Sequence, residues 1–278
     1  MSEDFKDRVA LVTGAGKPGG IGFAIAMQLA RRGADVVVAD LGSEGDGTGF
    51  VKSGTIEEMA AAAEKVAQTG SGASLAVPVD VTRNESISEM IETVRQRFER
   101  IDILCNNAGS TFGVPNAVHT YEEAAWMKTI DVNLHGVFRV TRAVLPLMLP
   151  QGGSIVNTAS RAAKTPPLFN GAYAVAKAGV VMLTKVMAKE LAANRIRVNA
   201  ICPGVIDTGL TRRRFELEAE IFNTSAADRE AVMCQSIPLG RIGSADEVAE
   251  LAVFLASDAA SYITGQAINV TGGQLMEL

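Results

Sequence analysis

The chain has 278 residues, 47% of them hydrophobic and 21% charged, which fits a globular protein with a large core and excludes one too polar to fold. A formal net charge of −5, with no basic stripe to offset it, excludes general attraction to nucleic acid or to anionic lipid. Aromatic residues make up only 5%, so the core must rest on Ala, Val, Ile and Leu, as in a parallel sheet covered by helices.

In chain order, Met1–Arg8 is charged and lacks the apolar core of a secretory signal, and no apolar run is read as a membrane span. The cytoplasm is the expected compartment. Arg8–Thr13 (RVALVT) reads as a buried strand, Gly22–Arg32 as a helix stopped by Gly33, and Asp35–Asp40 (DVVVAD) as a second strand. Together they have the length of one βαβ unit. Leu41–Gly54 carries five glycines and little apolar patterning, and is expected to be a flexible insert. Thr55 with Glu58 forms a capping box for a helix ended by Gly70. Leu75–Val81, Ile101–Cys105 and Ser154–Thr158 follow as strands, with helices at Glu85–Arg100 and Tyr121–Met148 between them. A long amphipathic helix over Tyr173–Ala193 precedes a strand at Arg197–Ile201. Ser244 and Glu247 cap a helix running to about Ser257, and Ala267–Val270 is the last strand. This alternation predicts one α/β domain over residues 1–278, a doubly wound and mostly parallel sheet with helices on both faces.

Two constellations carry chemistry. In Thr13–Gly22, Gly14, Gly16 and Gly19 match G-x-G-x-x-G between a strand and a helix. Glycines there let the backbone approach a pyrophosphate, and the helix N-terminus offers free N–H groups. Asp40 ends the second strand 18 residues beyond Gly22, where a carboxylate can bind the adenosine ribose hydroxyls. Tyr173 and Lys177 stand one helical turn apart and share a face. An ammonium beside the phenol is expected to lower its pKa and make it a usable acid–base near neutrality. Cys105, Cys202 and Cys234 have no paired spacing and no histidine cluster, so neither a disulfide framework nor a metal site is expected. Cys105 and Cys202 read as core, Trp126 as packing, and His119 and His135 as surface or packing residues rather than catalysts. Arg212, Arg213 and Arg214 read as a solvated charge run, with an anion site as the alternative.

Ordered together, Gly20-Ile21-Gly22, Asp80-Val81, Asn106-Asn107-Ala108-Gly109, Asn133-Leu134, Ser160, Tyr173-x-x-x-Lys177, Pro203-Gly204 with Thr208, and Ile263-Thr264-Gly265-Gln266 resemble the short-chain dehydrogenase/reductase family over essentially the whole chain. The resemblance implies a single Rossmann-type domain, a homotetramer, and hydride transfer between a nicotinamide cofactor and a small alcohol or ketone. It implies that Tyr173 exchanges the proton on the substrate oxygen. Lys177 would tune Tyr173 and hold the nicotinamide ribose, Ser160 would orient the substrate oxygen, and Asn133 would hold a relay water. Gly14, Gly20, Ile21 and Gly22 would face the phosphates, Asp80 with Val81 the adenine, and Asn107 the adenosine side. Pro203, Gly204, Ile206 and Thr208 would face the carboxamide end. The loop has two more residues than the family pattern, so whether Gly16 or Gly19 faces the phosphates stays open. Gly209–Ile237 is expected to be the substrate lid. Asp40 favours NAD over NADP, whereas Lys17 and the arginine run favour NADP. An NADPH-dependent 3-oxoacyl-carrier reductase is therefore the first alternative, and a non-catalytic dinucleotide-binding regulator the second. Substrate choice would lie in Ser110–Val114, Arg161–Phe169 and the lid, none of which carries a recognisable code.

Overall fold

The computed structural model describes residues 4–43, 49–50 and 54–277. Its strands are β1 (Val9–Thr13), β2 (Asp35–Asp40), β3 (Ser74–Pro78), β4 (Ile103–Asn106), β5 (Gly153–Thr158), β6 (Ile196–Pro203) and β7 (Ala267–Val270). They form one sheet in the order β3-β2-β1-β4-β5-β6-β7, with every pairing parallel. The helices are α1 (Ile21–Arg31), α2 (Ile56–Ala67), α3 (Asn84–Phe98), α4 (Glu123–Ile130), α5 (Gly136–Met148), α6 (Gly171–Leu191), α7 (Gly209–Phe222), α8 (Ala226–Gln235) and α9 (Ala245–Ala256).

The two-residue period of the strands divides the core. Ala10, Val12, Val36 and Val38 join a cluster with α1, α2 and α9. Val9, Leu11, Val37 and Ala39 point the other way, into a cluster with α3, α5 and α6. The sheet is thus buried on both faces, which is why its strands read as unbroken apolar runs. The expected capping boxes at Thr55/Glu58 and Ser244/Glu247 are both formed. Cys105, Cys202 and Cys234 are free thiols, the first two buried. No group of metal-ligating side chains occurs among the described residues.

Three expectations are revised. The single helix over Tyr121–Met148 is broken into α4, a five-residue π turn at Asp131–His135, and α5. Gly209–Ile237 contains two helices, α7 and α8, the second with its own capping box from Ser225 and Asp228. Helix α6 is long and apolar enough to cross a membrane. Instead it packs on the sheet through Ala176, Val180, Thr184 and Ala188 and carries the buried Lys177. Residues 44–48 and 51–53 of the Leu41–Gly54 insert lie outside the described residues. The described Phe50 donates its N–H to the Thr111 carbonyl at 3.0 Å.

Chain order runs outward from β1 to β3, then returns to β4 beside β1 and runs outward again. The carboxyl ends on either side of that reversal splay connections apart and open a cleft, where open α/β sheets bind ligands.

Candidate active site

A cleft of about 1560 Å³ lies over these strand ends. Its wall takes Gly14 after β1, Asp40 at the end of β2, Asp80 after β3, Asn107 after β4, Ser160 after β5, and Pro203 with Gly204 at β6. Val81, Asn133, Tyr173, Lys177, Thr208, Gly20 and Ile21 complete the set of expected residues on the wall. Gly49, Phe50 and Gly54 also line it, so the described part of the insert borders the cleft.

The glycine loop divides its work. Gly14 has φ +68°, and a Cβ there would stand 2.8 Å from the Ala108 backbone. Gly16 donates its N–H to Asp40 Oδ2 at 2.8 Å and does not reach the wall, whereas Gly19 does. At Gly19, φ is +81° and an added Cβ would meet nothing within 4 Å. Gly19 is therefore the glycine facing the ligand space, and Gly16 is the one that fastens the loop to β2. Two expected contact residues are not brought to the wall. A Cβ on Gly22 would lie 2.2 Å from the Gly14 carbonyl oxygen, so this glycine is needed for packing under the loop. Ile206 is buried and lines a separate pocket of about 300 Å³.

Asp40 accepts from Gly16 and, through Oδ1, from the Leu41 N–H at 2.8 Å. Burial pushes its carboxyl above the ordinary value; these two N–H groups and the nearby Lys17 charge work against that. Asp80 Oδ1 accepts from the Thr82 N–H at 2.9 Å and the Thr82 hydroxyl at 2.6 Å, which fixes the turn after β3. Asn107 braces the loop from below: its Nδ2 donates to the carbonyls of Thr13 and Gly14 at 3.2 and 3.1 Å.

At the other end of the cleft, Tyr173 and Lys177 stand on the first turns of α6. Lys177 is 3% exposed. Its Nζ donates to the Thr158 carbonyl at 2.7 Å and lies 5.6 Å from the Tyr173 ring centroid. Burial lowers Lys177 to about 8. It raises the Tyr173 phenol, and the adjacent Ser160 hydroxyl pulls the other way. The expected lowering of Tyr173 by Lys177 is thus not met in the protein alone. The ammonium donates to the Thr158 carbonyl, and desolvation is the largest influence on the phenol. Ser160 Oγ accepts from the Ala162 N–H at 3.1 Å and caps the short turn Arg161–Ala163, which fixes its side chain.

Asn133 sits inside the π turn, fully buried. Its Nδ2 donates to the carbonyls of Ser110 and Thr129, at 2.5 and 2.8 Å. That leaves Oδ1 as a buried acceptor with no partner, and such a group is costly unless something donates to it. A Cβ at Gly109 would stand 2.7 Å from that Oδ1 and 3.5 Å from Lys177 Nζ. Gly109 therefore leaves room for the two polar groups to face the same space.

His119 is exposed, and so is His135, whose Nδ1 lies 3.1 Å from Asp131 Oδ1. Trp126 packs edge-on against Tyr121. Arg212 is paired with Asp207 and Glu230, and Arg213 with Glu216. These pairs account for most of the charge run. Sequence reasoning missed Thr158, whose carbonyl positions Lys177; Arg161, in the segment expected to bear on substrate choice, does reach the wall.

Residues 14–274 match the family model described as enoyl-(acyl carrier protein) reductase. A 3-oxoacyl-[acyl-carrier-protein] reductase of Thermotoga maritima is 39% identical over 96% of this chain and 97% of its own. The crystal structure of carveol dehydrogenase from Mycobacterium avium in complex with NAD is 29% identical, with a TM-score of 0.89 over 99% of both chains. An actinorhodin polyketide ketoreductase with NADPH is 32% identical, with a TM-score of 0.86 over 99% of both chains.

Proposed function

This chain belongs to the short-chain dehydrogenase/reductase family, and we propose that it interconverts a secondary alcohol and a ketone with NAD as its preferred cofactor. It is an NAD(P)-dependent oxidoreductase, which sets aside the catalytically silent regulator. The observation that carries the reading is that Ser160, Tyr173, Lys177 and the unpartnered Asn133 oxygen all face one cleft. The glycine loop fits a dinucleotide there, since Gly14 lets the backbone close on Ala108 and Gly19 leaves the ligand side open. When bound, the nicotinamide gives or takes the hydride.

The chain's own residues would do the rest. Tyr173 donates a proton to the substrate oxygen in reduction and removes it in oxidation. Ser160, its side chain fixed by the turn it caps, orients that oxygen. Lys177 holds its proton at Nζ beside Tyr173 and would also hold the nicotinamide ribose. Asn133 Oδ1 would hold a water between Lys177 and solvent. Gly14, Gly20, Ile21, Asp80, Val81, Asn107, Pro203, Gly204 and Thr208 would bind the cofactor from the wall, with Gly22 and Ile206 supporting it from beneath.

Preference for NAD rests on Asp40, a carboxylate held by two N–H groups at the adenosine end of the wall. Like charge from a 2′-phosphate costs there. The NADPH-dependent 3-oxoacyl reductase reading is favoured by one observation, that Lys17 lies close enough to Asp40 to act on its charge, together with the relatives' names. Residues 1–278 would form a single domain, with α7 and α8 as its lid. Exposed Met127, Phe138, Val175, Met182 and Val186 on α4, α5 and α6 support assembly as a homotetramer. The cytoplasm is the proposed compartment.

The test is oxidation and reduction of a diverse alcohol and ketone panel with NAD(H) and NADP(H). The reading requires turnover of at least one such pair and higher efficiency with NAD. Turnover confined to 3-oxoacyl thioesters with NADPH would replace it with the second reading.

A further inference from the structure

Arg161 follows Ser160 directly and lines the same cleft. Its guanidinium is half-buried, and no described residue gives it a hydrogen bond or a carboxylate. Arg214 and Arg229 line the same cleft. The carboxylate beside them is Glu218, and both its oxygens are taken: Oε1 by Arg214 Nε at 2.7 Å, Oε2 by Arg229 Nε at 3.3 Å. Arg214 and Arg229 thus share one carboxylate and Arg161 has none, in a chain whose formal net charge is −5. Burial, and then the Arg214 charge, pull Arg161 below its ordinary pKa. Both side chains line the cleft, close enough for the Arg214 charge to act on Arg161, and an anion bound by both would relieve that repulsion.

Building on the oxidoreductase reading, we propose that Arg161, with Arg214, recognises an oxyanion on the substrate, so that the enzyme acts on ketones and alcohols bearing a carboxylate or a phosphate. A guanidinium presents parallel donors that match either group bidentately. Ser160 and Arg161 are adjacent, with Cα atoms about 3.8 Å apart. Both side chains line the one cleft, so a carbonyl held by the first and an anion held by the second can belong to one small molecule. A thioester-borne 3-oxoacyl chain has no charge at that position and would leave Arg161 unpaired, which disfavours it.

The test uses two matched pairs: 4-oxopentanoate with its methyl ester, and dihydroxyacetone phosphate with dihydroxyacetone. Each is assayed for reduction by the wild-type enzyme and by Arg161→Gln, Arg161→Lys and Arg214→Gln. The expected result is that one anionic member exceeds its neutral partner in kcat/KM by about tenfold or more, equivalent to about 1.4 kcal/mol. The pair that responds distinguishes carboxylate from phosphate. Arg161→Gln should collapse that preference to near parity by raising KM for the anion, Arg161→Lys should restore part of it, and Arg214→Gln should lower it less. Equal efficiency within both pairs, or a preference that survives Arg161→Gln, overturns the proposal. Should Arg161→Gln fail to fold, the wild-type ratios and the Arg161→Lys variant decide. Calorimetric titration of the same anions into Tyr173→Phe protein saturated with NADH separates this proposal from the reading it rests on. Anion binding that Arg161→Gln abolishes supports the oxyanion site even if no ketone is reduced. Turnover of neutral ketones with neither anion bound nor preferred refutes the oxyanion site and leaves the oxidoreductase reading intact.

Discussion

Replacing Asp40 by alanine separates two things that this carboxylate does at once. It accepts N–H bonds from Gly16 and Leu41, both at 2.8 Å, so it holds the glycine loop against β2, and it presents charge to the adenosine end of the cleft. Hydrogen bonds to a charged group are worth about 1.5–3 kcal/mol each. Asp40 is only partly covered, and the freed N–H groups can reach water in the cleft. The net loss of stability should therefore be about 1–3 kcal/mol, or roughly 2–12 °C in melting midpoint for a chain of this size. Wild-type kcat/KM with NAD should exceed that with NADP by about tenfold, or 1.4 kcal/mol. In Asp40→Ala the ratio should fall to within about threefold of parity, mainly by weakening NAD, a change of roughly 0.7 kcal/mol or more. Adding Leu41→Arg should then favour NADP. Acidity supplies an independent readout. Because burial raises the folded-state pKa of Asp40, the cost of its charge is present above that value and is relieved as pH falls through it. Protonation also removes an acceptor for the ribose, so NAD affinity of the wild type should decline on acidification, with no matching step in Asp40→Ala. Wild-type efficiency equal for both cofactors, or an Asp40→Ala variant with unchanged melting and unchanged selectivity, would refute the assignment.

Tyr173→Phe keeps the ring and removes the transferable proton, so turnover should fall by about 10²–10⁴ while fluorescence titration still detects dinucleotide binding. Retention of more than a tenth of the activity sinks the role. Gly22→Ala sets a Cβ 2.2 Å from a backbone oxygen, an overpacking that should cost about 3 kcal/mol or more and depress the melting midpoint. Gly19→Ala, where only the φ of +81° is unfavourable, should cost about 1–2 kcal/mol and act chiefly on cofactor KM. A milder effect from Gly22→Ala than from Gly19→Ala would reverse the division of labour argued for the loop. Burial lowers Lys177 to about 8, so in the ligand-free protein its charge costs stability below that pH. Stability should rise between about pH 8 and the free-lysine value near 10.4, relative to Lys177→Met. Parallel pH curves for the two proteins would argue against a desolvated ammonium.

The sheet was legible because its central strands, buried on both faces, had to be apolar runs between turn residues; β2 and β7 were read with their true bounds. Other ends moved by one to three residues, as at β3, where Val79, Asp80 and Val81 leave the ladder to form the cleft wall. The π turn left no trace in the periodicity. One widened turn disturbs the 3.6-residue pattern too little to be seen, yet it carries Asn133. The helices of the lid segment were missed because few of their residues are buried; Thr211 and Phe215 alone are buried in α7, and none in α8. The Ser225/Asp228 capping box was the available signal. The spacing of Tyr173 and Lys177 gave their shared helix face, and the motifs around them pointed to their role, whereas the direction of the Tyr173 pKa is set first by desolvation, which spacing does not encode.

The site has a braced floor, and the lid proposed for α7 and α8 is attached to it by few contacts. Beneath the catalytic layer, Asn106 Nδ2 donates to Thr141 of α5 at 3.0 Å and to Asn157 Oδ1 at 2.9 Å, and Asn157 Nδ2 donates to Thr184 of α6 at 2.9 Å. This buried chain ties β4, β5, α5 and α6 together, and those elements carry or adjoin Asn107, Asn133, Ser160 and Tyr173. Buried networks of this kind fix one arrangement, because each broken link leaves an unsatisfied group in a dry interior. The cover, α7 and α8, is held differently. Phe215 enters a small separate cluster with Val205, Ile237 and Ile242; Arg212 pairs with Asp207 of the preceding segment near the surface, while Arg212–Glu230 and Arg229–Glu218 only join α7 and α8 to each other and Arg214–Glu218 lies within α7. Such pairs contribute about 1 kcal/mol or less each, and segments that open are drawn from the weakly held end of a fold. If α7 and α8 act as the proposed lid, Ser160, Tyr173 and Lys177 would stay aligned on the floor while Arg214 approached or left Arg161. An anion bound between those two guanidiniums would draw the cover down onto the floor, joining substrate recognition to exclusion of water from the reacting carbonyl.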